Sequence, residues 1–151
     1  MTVFSAPDES AALRTDATTG IIGYRLRRAQ LSVFQRFMEA FSELDLRPAE
    51  YSVLVLIADN PGRKQTEIAE ILGIKRANFV ALINGLDRRG LTERHTAPGD
   101  RRANALHLTA EGERFLKRAR AVQARFEADC VKRLGGVEAR DRLLRMLDRL
   151  C

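Results

Sequence analysis

Two short amphipathic runs lie close together near the middle of the chain, and they restrict the folds that are open to it. The first run, in residues 65–72, has apolar residues at helical spacing and stops at Gly73. The second run starts at Lys75 and repeats apolar residues at spacings of three and four as far as Leu86. The pattern predicts two helices that are joined by a tight turn.

A β-hairpin is predicted directly after these two helices. Residues 91–95 and 103–108 alternate between polar and apolar in the manner of strands, and Pro98, Gly99 and Asp100 lie between them. Helix, turn, helix and hairpin is an arrangement that proteins use to read DNA. Residues 64–108 are therefore interpreted as a DNA reader.

Further helices are predicted on both sides of this reader. Residues 20–46 have a helical apolar stripe, Pro48 is suited to begin the next helix, and the apolar run 53–57 is expected to be buried on every side. Thr109 is a suitable N-cap for a long helix, which Gly135 ends before a final amphipathic helix. Because helices from both ends of the chain enclose the reader, we expect them to pair with a second copy in a two-fold dimer.

The charge of the chain predicts an anionic partner. The net charge is +6 and the positive excess lies C-terminal to Gly62, half of it within residues 63–102. No apolar run approaches the roughly 18 residues that cross a bilayer, and no secretory leader is visible. Two cysteines do not form a disulfide framework. The expected compartment is the cytoplasm.

The second helix of the reader has one apolar face and one small, polar or basic face. Asparagine can pair with adenine and arginine with guanine or phosphate, and small residues allow close approach to the floor of the major groove. The start of the preceding helix offers backbone donors to a phosphate. A solvated surface helix is the alternative interpretation. The predicted DNA-binding residues of both helices are Lys64, Gln65, Thr66, Lys75, Arg76, Ala77, Asn78, Ala81 and Arg88.

The hairpin adds a basic tip. Arg94, Arg101 and Arg102 surround a polar turn, and an arginine at such a tip can enter the negative minor groove. Asp100 is predicted to hold Arg102 in place by a charge-assisted pair. A solvated turn with an incidental ion pair is the alternative.

The segment QTEIAEILGIKRANFVALINGLDRRGLTERHTAPGDRRANALHLTAEG resembles the winged helix-turn-helix core of the MarR family of bacterial regulators. The most specific matches are Leu86, Gly90 and Leu91, the Asp-x-Arg pattern that begins at Asp100, and Leu108-Thr109 followed by Gly112. The resemblance implies a mainly α fold with a small β-hairpin wing and dimerisation helices at both termini. It also implies a dimer on a palindromic operator. Lys75 at the usual cap position and Gly85 within the recognition helix depart from the family pattern.

Composition, apolar spacing and the resemblance together predict the following divisions of the chain. Residues 1–19 are a mobile arm, 20–46 a first dimerisation and effector helix, 47–108 the winged helix-turn-helix domain, and 109–151 the C-terminal dimerisation helices. A small helical turn is expected near residues 9–13 of the arm.

Members of the family commonly bind aromatic or acidic effectors near the dimer helices. The first helix, GYRLRRAQLSVFQRF, also resembles that of members that respond to hydroxycinnamoyl-CoA thioesters. The expected effector is a small aromatic acid or its CoA thioester, and no other cofactor is expected. An ordinary core phenylalanine stripe is the alternative. The candidate effector-binding residues are Arg25, Arg28, Phe34, Arg36, Phe37, Phe41 and Tyr51.

The sequence shows no catalytic constellation. The two histidines, His95 and His107, lie on opposite strands without a nearby cysteine, so a zinc site is not expected. The expected function is that of a ligand-responsive, homodimeric DNA-binding repressor and not an enzyme. A winged helix that serves only protein contact is the alternative.

Overall fold

The computed structural model describes residues 15–97 and 100–151, and for residues 97 and 100–103 it describes the backbone only. The chain forms two compact units, Met1–Gln35 and Arg36–Cys151. Their elements, in order, are α1 (Asp16–Thr19), α2 (Ile22–Ala40), a 3₁₀ turn (Ser42–Leu44), α3 (Pro48–Asp59), α4 (Gln65–Ile71), α5 (Arg76–Arg88), β1 (Thr92–Ala97), β2 (Asp100–Leu108), α6 (Ala110–Leu134) and α7 (Val137–Leu147).

The predicted order of helices and hairpin is confirmed, but the first long helix is shorter than expected. α2 ends at Ala40 and does not continue to residue 46, because the chain turns through Ser42–Leu44 and Asp45 takes a left-handed conformation with φ of 44°. The next helix begins at Pro48, as predicted, where the absent proline N–H has no helical partner to lose. The helical turn expected near residues 9–13 lies outside the described residues.

The core of the second unit lies where the reader helices meet α3 and the hairpin. Its fully buried side chains include Leu54 and Ile57 of α3, Phe79 and Ile83 of α5, and Leu106 of β2. The run 53–57 is less buried than predicted, since Val55 and Leu56 lie partly at the surface. Ile71 of α4 differs more from its expectation: its apolar spacing suggested a core position, yet 73% of it is exposed.

The hairpin is longer than predicted, and a third segment extends it. β1 and β2 are antiparallel, with Thr92 opposite Leu108 and Thr96 opposite Asn104. The Gly62 N–H donates to the carbonyl of Leu106 at 2.9 Å, and the Leu106 N–H donates to the carbonyl of Arg63 at 3.0 Å. The segment before α4 therefore fixes the base of the hairpin against the helices. No periodicity indicated this, because one bridge is too short to leave a pattern.

α6 begins as the sequence predicts. The Thr109 hydroxyl accepts from the Gly112 N–H at 2.9 Å and donates to the carbonyl of Gly90 at 2.5 Å. Gly135, with φ of 96°, ends the helix in the left-handed conformation that favours glycine. In the described part of the chain, no helix has both the length and the apolar character to cross a membrane.

Candidate nucleic-acid interface

The outward face of α5 is exposed as the sequence predicts. Arg76, Ala77, Asn78, Ala81 and Arg88 are all exposed, while Phe79, Ile83 and Leu86 of the same helix are buried at 0% exposure. Lys75 is the N-cap residue and is also exposed, but its side chain makes no capping hydrogen bond. The helix thus presents small, amide and basic side chains on one surface, which is the chemistry that base edges and phosphates require.

An open cleft of about 670 Å³ lies beside this face. Gly85 is on its α5 side and Arg88 follows one turn later, while Arg47 comes from the start of α3. A Cβ at Gly85 would have only the Arg88 guanidinium near it, at 4.0 Å, so the glycine leaves open space there. Asp45 and Glu50 also line the cleft, and Glu50 accepts from the Arg47 N–H at 2.8 Å. Arg47 is a basic residue of this surface that sequence reasoning missed.

The start of α4 lies at the edge of the hairpin. Lys64 is half-buried, its N–H donates to Glu67 at 2.7 Å, and its backbone pairs with Ala105 of β2. Thr66 is exposed, whereas Gln65 is half-buried. Of these three predicted phosphate contacts, Thr66 is the most accessible in the isolated chain.

The wing residues fall into two groups. Arg94 is held against α5: its Nη2 donates to Asn84 Oδ1 at 2.5 Å, and its Nε lies 3.0 Å from Asp87 Oδ2. Asn84, which the helical spacing places on the outward face, is half-buried because of this contact. The side chains of Asp100, Arg101 and Arg102, and with them the predicted Asp100–Arg102 pair, lie outside the described residues.

Arg89 connects three parts of the second unit, and sequence reasoning missed it. Its guanidinium donates to the carbonyls of Asp45 at 2.8 Å and Leu44 at 2.9 Å, and lies over the Phe115 ring at 5.1 Å. This one guanidinium therefore joins the end of α5 to the turn after α2 and to the start of α6. Two adjacent arginines at a helix end were the only sequence signal, and they are equally typical of a solvated surface.

The candidate effector residues are divided between the two units. Arg25, Arg28 and Phe34 belong to the first unit and are exposed. In the second unit, Phe37 and Phe41 are buried and their rings stack at 4.0 Å, with Tyr51 edge-on to both. Burial raises the pKa of Tyr51. These three aromatic residues form part of the core of the protomer.

A second cleft, of about 410 Å³, joins Arg36 to α6. Arg125 and Arg133 line it together with the apolar side chains of Val122 and Phe126, and the carboxylates of Glu39 and Asp129 lie at the same cleft. Arg133 donates to Asp129 at 2.6 Å, and this hydrogen bond lowers the pKa of the Asp129 carboxyl. Sequence reasoning missed the α6 arginines, because it followed the apolar stripe of that helix alone.

The hairpin histidines lie side by side, with ring centroids 4.7 Å apart, and His95 Nε2 is 2.9 Å from Glu93. Within residues 15–97 and 100–151, no group of three or more metal-ligating side chains comes together. Cys130 is half-buried, and burial raises the pKa of its thiol.

Comparison with known proteins agrees with this geometry. Residues 44–103 match the model of the MarR family. A protein named as a transcriptional regulatory protein for the hcr operon of Thauera aromatica is 34% identical over 96% of this chain and 87% of its own length. This relative is named as a regulator, which agrees with the function that the sequence predicts.

Two solved structures of the transcriptional repressor CouR are also similar. One, bound to a 23-mer DNA duplex, is 44% identical with a TM-score of 0.87, and the match covers 93% of this chain and 99% of that one. The other, bound to p-coumaroyl-CoA, is 42% identical with a TM-score of 0.85 over 92% and 97% of the two chains. The chain belongs to the MarR family and is a winged helix-turn-helix transcriptional regulator.

Proposed function

We propose that the protein is a homodimeric, sequence-specific repressor that an aromatic acyl-CoA releases from a palindromic operator. The observation that carries this proposal is the exposed face of α5, with Arg76, Asn78 and Arg88 on a helix whose other face is buried. The similarity of the chain to CouR supports the same function, since structures of that repressor are known both with a DNA duplex and with p-coumaroyl-CoA.

The chemistry of α5 favours DNA over the alternative of a protein-contact module. Protein interfaces concentrate aromatic and apolar side chains at their centre. The exposed face of α5, all of which is described, has alanine, asparagine and arginine there instead. Arg47 and Arg88 line the adjacent cleft, where the phosphate backbone beside a major groove would run.

The ends of α6 and α7 supply the surface for a second copy. Leu134, Val137, Leu144, Met146 and Leu150 are large apolar side chains, and between 41% and 60% of each is exposed. Covering such residues in a symmetric pair removes them from water. A symmetric pair would also present two α5 helices to DNA, which matches the two half-sites of a palindrome.

Salt dependence of binding tests the DNA proposal. We expect the protein to retard a duplex from upstream of its own gene, with a log–log slope of about 0.9 per phosphate contacted. A dimer with about 6–10 such contacts loses about 10³- to 10⁵-fold in affinity between about 50 and 200 mM salt. Gel-shift titrations at four salt concentrations measure the slope, with a scrambled duplex as the control. Equal affinity for both duplexes would contradict sequence-specific recognition.

The cleft of Arg36, Arg125 and Arg133 is the candidate site for the phosphates of the effector. Arginine guanidinium groups bind phosphate oxygens through paired hydrogen bonds. Phe126 lies at the same cleft and packs edge-on against Phe37 at 5.6 Å, which joins the basic surface to the aromatic core. An anion with an aromatic part matches this combination.

Effector titration tests the acyl-CoA proposal. We expect p-coumaroyl-CoA to release the protein from DNA, and free p-coumaric acid or CoA alone to do so at least about tenfold less well, since each offers only part of the contacts. Fluorescence anisotropy of a labelled operator measures release.

Two variants locate the effector site. Arg125→Ala should raise the concentration of thioester needed for release by about tenfold, because it removes one charge-assisted hydrogen bond. Arg114→Ala is the matched control, since this arginine lies on the same helix but does not line the cleft. In the effector titration with the wild type, release by the free acid at the same concentration as the thioester would instead identify the acid as the effector.

A further inference from the structure

A polar network connects the base of the wing to the recognition helix α5. Arg94 of β1 donates through Nη2 to Asn84 Oδ1 at 2.5 Å, and its Nε lies 3.0 Å from Asp87 Oδ2. The Thr92 hydroxyl donates to the other oxygen of the same carboxylate, Asp87 Oδ1. Each oxygen of Asp87 thus lies close to a side chain of β1.

This network is less exposed to water than the ion pair between Arg120 and Asp59. The side chains of Arg94 and Asp87 are 27% and 29% exposed, and Thr92 is 4% exposed. Arg120 and Asp59, which join α6 to α3 at 2.9 Å, are 50% and 57% exposed. Water and salt screen an exposed pair strongly and a shielded one less. The Asp87 network therefore restrains its neighbours more than a surface pair does.

Because the network lies at the base of the hairpin, a small rotation there causes a large displacement at the far end of the wing. Thr92 is the first residue of β1 and faces Leu108 at the base of the hairpin. Ala97, at the far end of β1, lies five residues further on, about 17 Å away at about 3.3 Å per residue. A rotation of about 10° at the base displaces the tip by about 3 Å, which exceeds the tolerance of a hydrogen bond. Small changes at Asp87 thus become large changes at Arg101 and Arg102.

We propose that Arg94, with Asp87 and Asn84, is a positioning residue that holds the wing at its angle to α5. It acts on DNA through the wing and does not itself neutralise a phosphate, because its Nη2 donates to Asn84 and its guanidinium lies within ion-pair distance of the Asp87 carboxylate. This inference rests on the proposed function as a DNA-binding regulator. It separates Arg94 from the arginines at the tip, with which it shares the hairpin.

A double-mutant cycle in operator affinity tests the proposal. The four proteins are the wild type, Arg94→Ala, the wing variant Arg101→Ala/Arg102→Ala, and the combination. If Arg94 acts through the wing, it has nothing to position once the tip arginines are absent. We therefore expect Arg94→Ala alone to weaken binding about tenfold or more, and the combination to bind within about twofold of the wing variant.

Two results would overturn the proposal. Losses that multiply in the combined variant would mean that Arg94 contacts DNA directly, and wild-type affinity of Arg94→Ala would mean that it has no role. Asp87→Asn, which keeps the shape of the side chain, should give the same non-additivity by weakening the ion pair from the other partner. Arg120→Ala is the matched control, because it breaks a long-range Arg–Asp pair elsewhere and should leave DNA affinity unchanged.

Hydrogen exchange of the free protein separates this inference from the proposed function. In Arg94→Ala, the amides of β1 and β2 should exchange faster while those in the centre of α5 remain protected. This measurement decides the restraint on the wing even if no duplex is bound, an outcome that would count against the DNA-binding function instead. Unchanged exchange in the wing would refute the positioning role.

Discussion

Replacing Arg76 by alanine is expected to lower operator affinity by about 30-fold to 10⁴-fold. A bidentate arginine–guanine contact contributes about 1–3 kcal/mol, and a dimer loses it twice. Arg76 is the first residue of α5 and is exposed, so its replacement removes a guanidinium from the surface that is proposed to bind DNA and does not disturb the core. Fluorescence anisotropy with the palindromic operator measures the change.

Two further variants distinguish base reading from phosphate binding. Arg76→Lys keeps the charge but not the planar pair of donors, so we expect the salt slope to remain and the preference for one base to relax. Arg88→Ala should instead weaken binding to all duplexes equally and reduce the slope by about 0.9 for each phosphate that is no longer neutralised. If Arg76→Ala bound the operator as tightly as the wild type, the start of α5 would not be the reading surface.

Replacing Gly112 by alanine is expected to cost about 3 kcal/mol of folding stability, near the upper end of the usual overpacking range. A Cβ at Gly112 would lie 1.9 Å from the carbonyl oxygen of Leu91, a backbone atom that also accepts from the Thr109 N–H at 3.1 Å. That carbonyl cannot move without disturbing the joint between the hairpin and α6. Denaturant unfolding at fixed protein concentration measures the decrease in stability, since a dimer's apparent stability depends on concentration.

Gly85→Ala is the matched control, because it is also a glycine-to-alanine change within a helix. The nearest atom to its Cβ would be a flexible guanidinium nitrogen at 4.0 Å, so helix propensity decides the result and we expect a gain of about 1 kcal/mol. Since Gly85 lines the cleft beside α5, its DNA affinity can fall while its stability rises. Equal stabilities for the two variants would show that the close approach at Gly112 is relieved at no cost.

Much of the fold was predictable from local patterns. The apolar spacing of α5 and its opposite face are visible in the sequence, because a period of 3.6 residues assigns each side chain to a face before any packing occurs. Thr109 and Gly135 mark the two ends of α6 for reasons equally local, a hydroxyl that caps and a glycine that accepts positive φ. The same holds for the exposure of Arg76, Asn78 and Arg88.

Contacts between distant residues were not predictable in this way. The sequence marked Gly112 by resemblance alone, and the carbonyl of Leu91, 21 positions earlier, supplies its physical reason. Arg89 reaches carbonyls 44 and 45 residues before it, and Arg94 turns to Asn84 and Asp87. The sequence around an arginine near a basic tip is the same whether the side chain faces a phosphate or a carboxylate.

The sequence by itself determined the order of the helices, the reading face of α5 and the basic charge of the reader. Each of these depends on residues within a turn or two of one another. Only the tertiary structure decided which arginines remain available to DNA and which are held by the protein. That distinction depends on which carboxylates and carbonyls lie within hydrogen-bond distance, and the packing of α5 against the hairpin and the turn after α2 sets those distances.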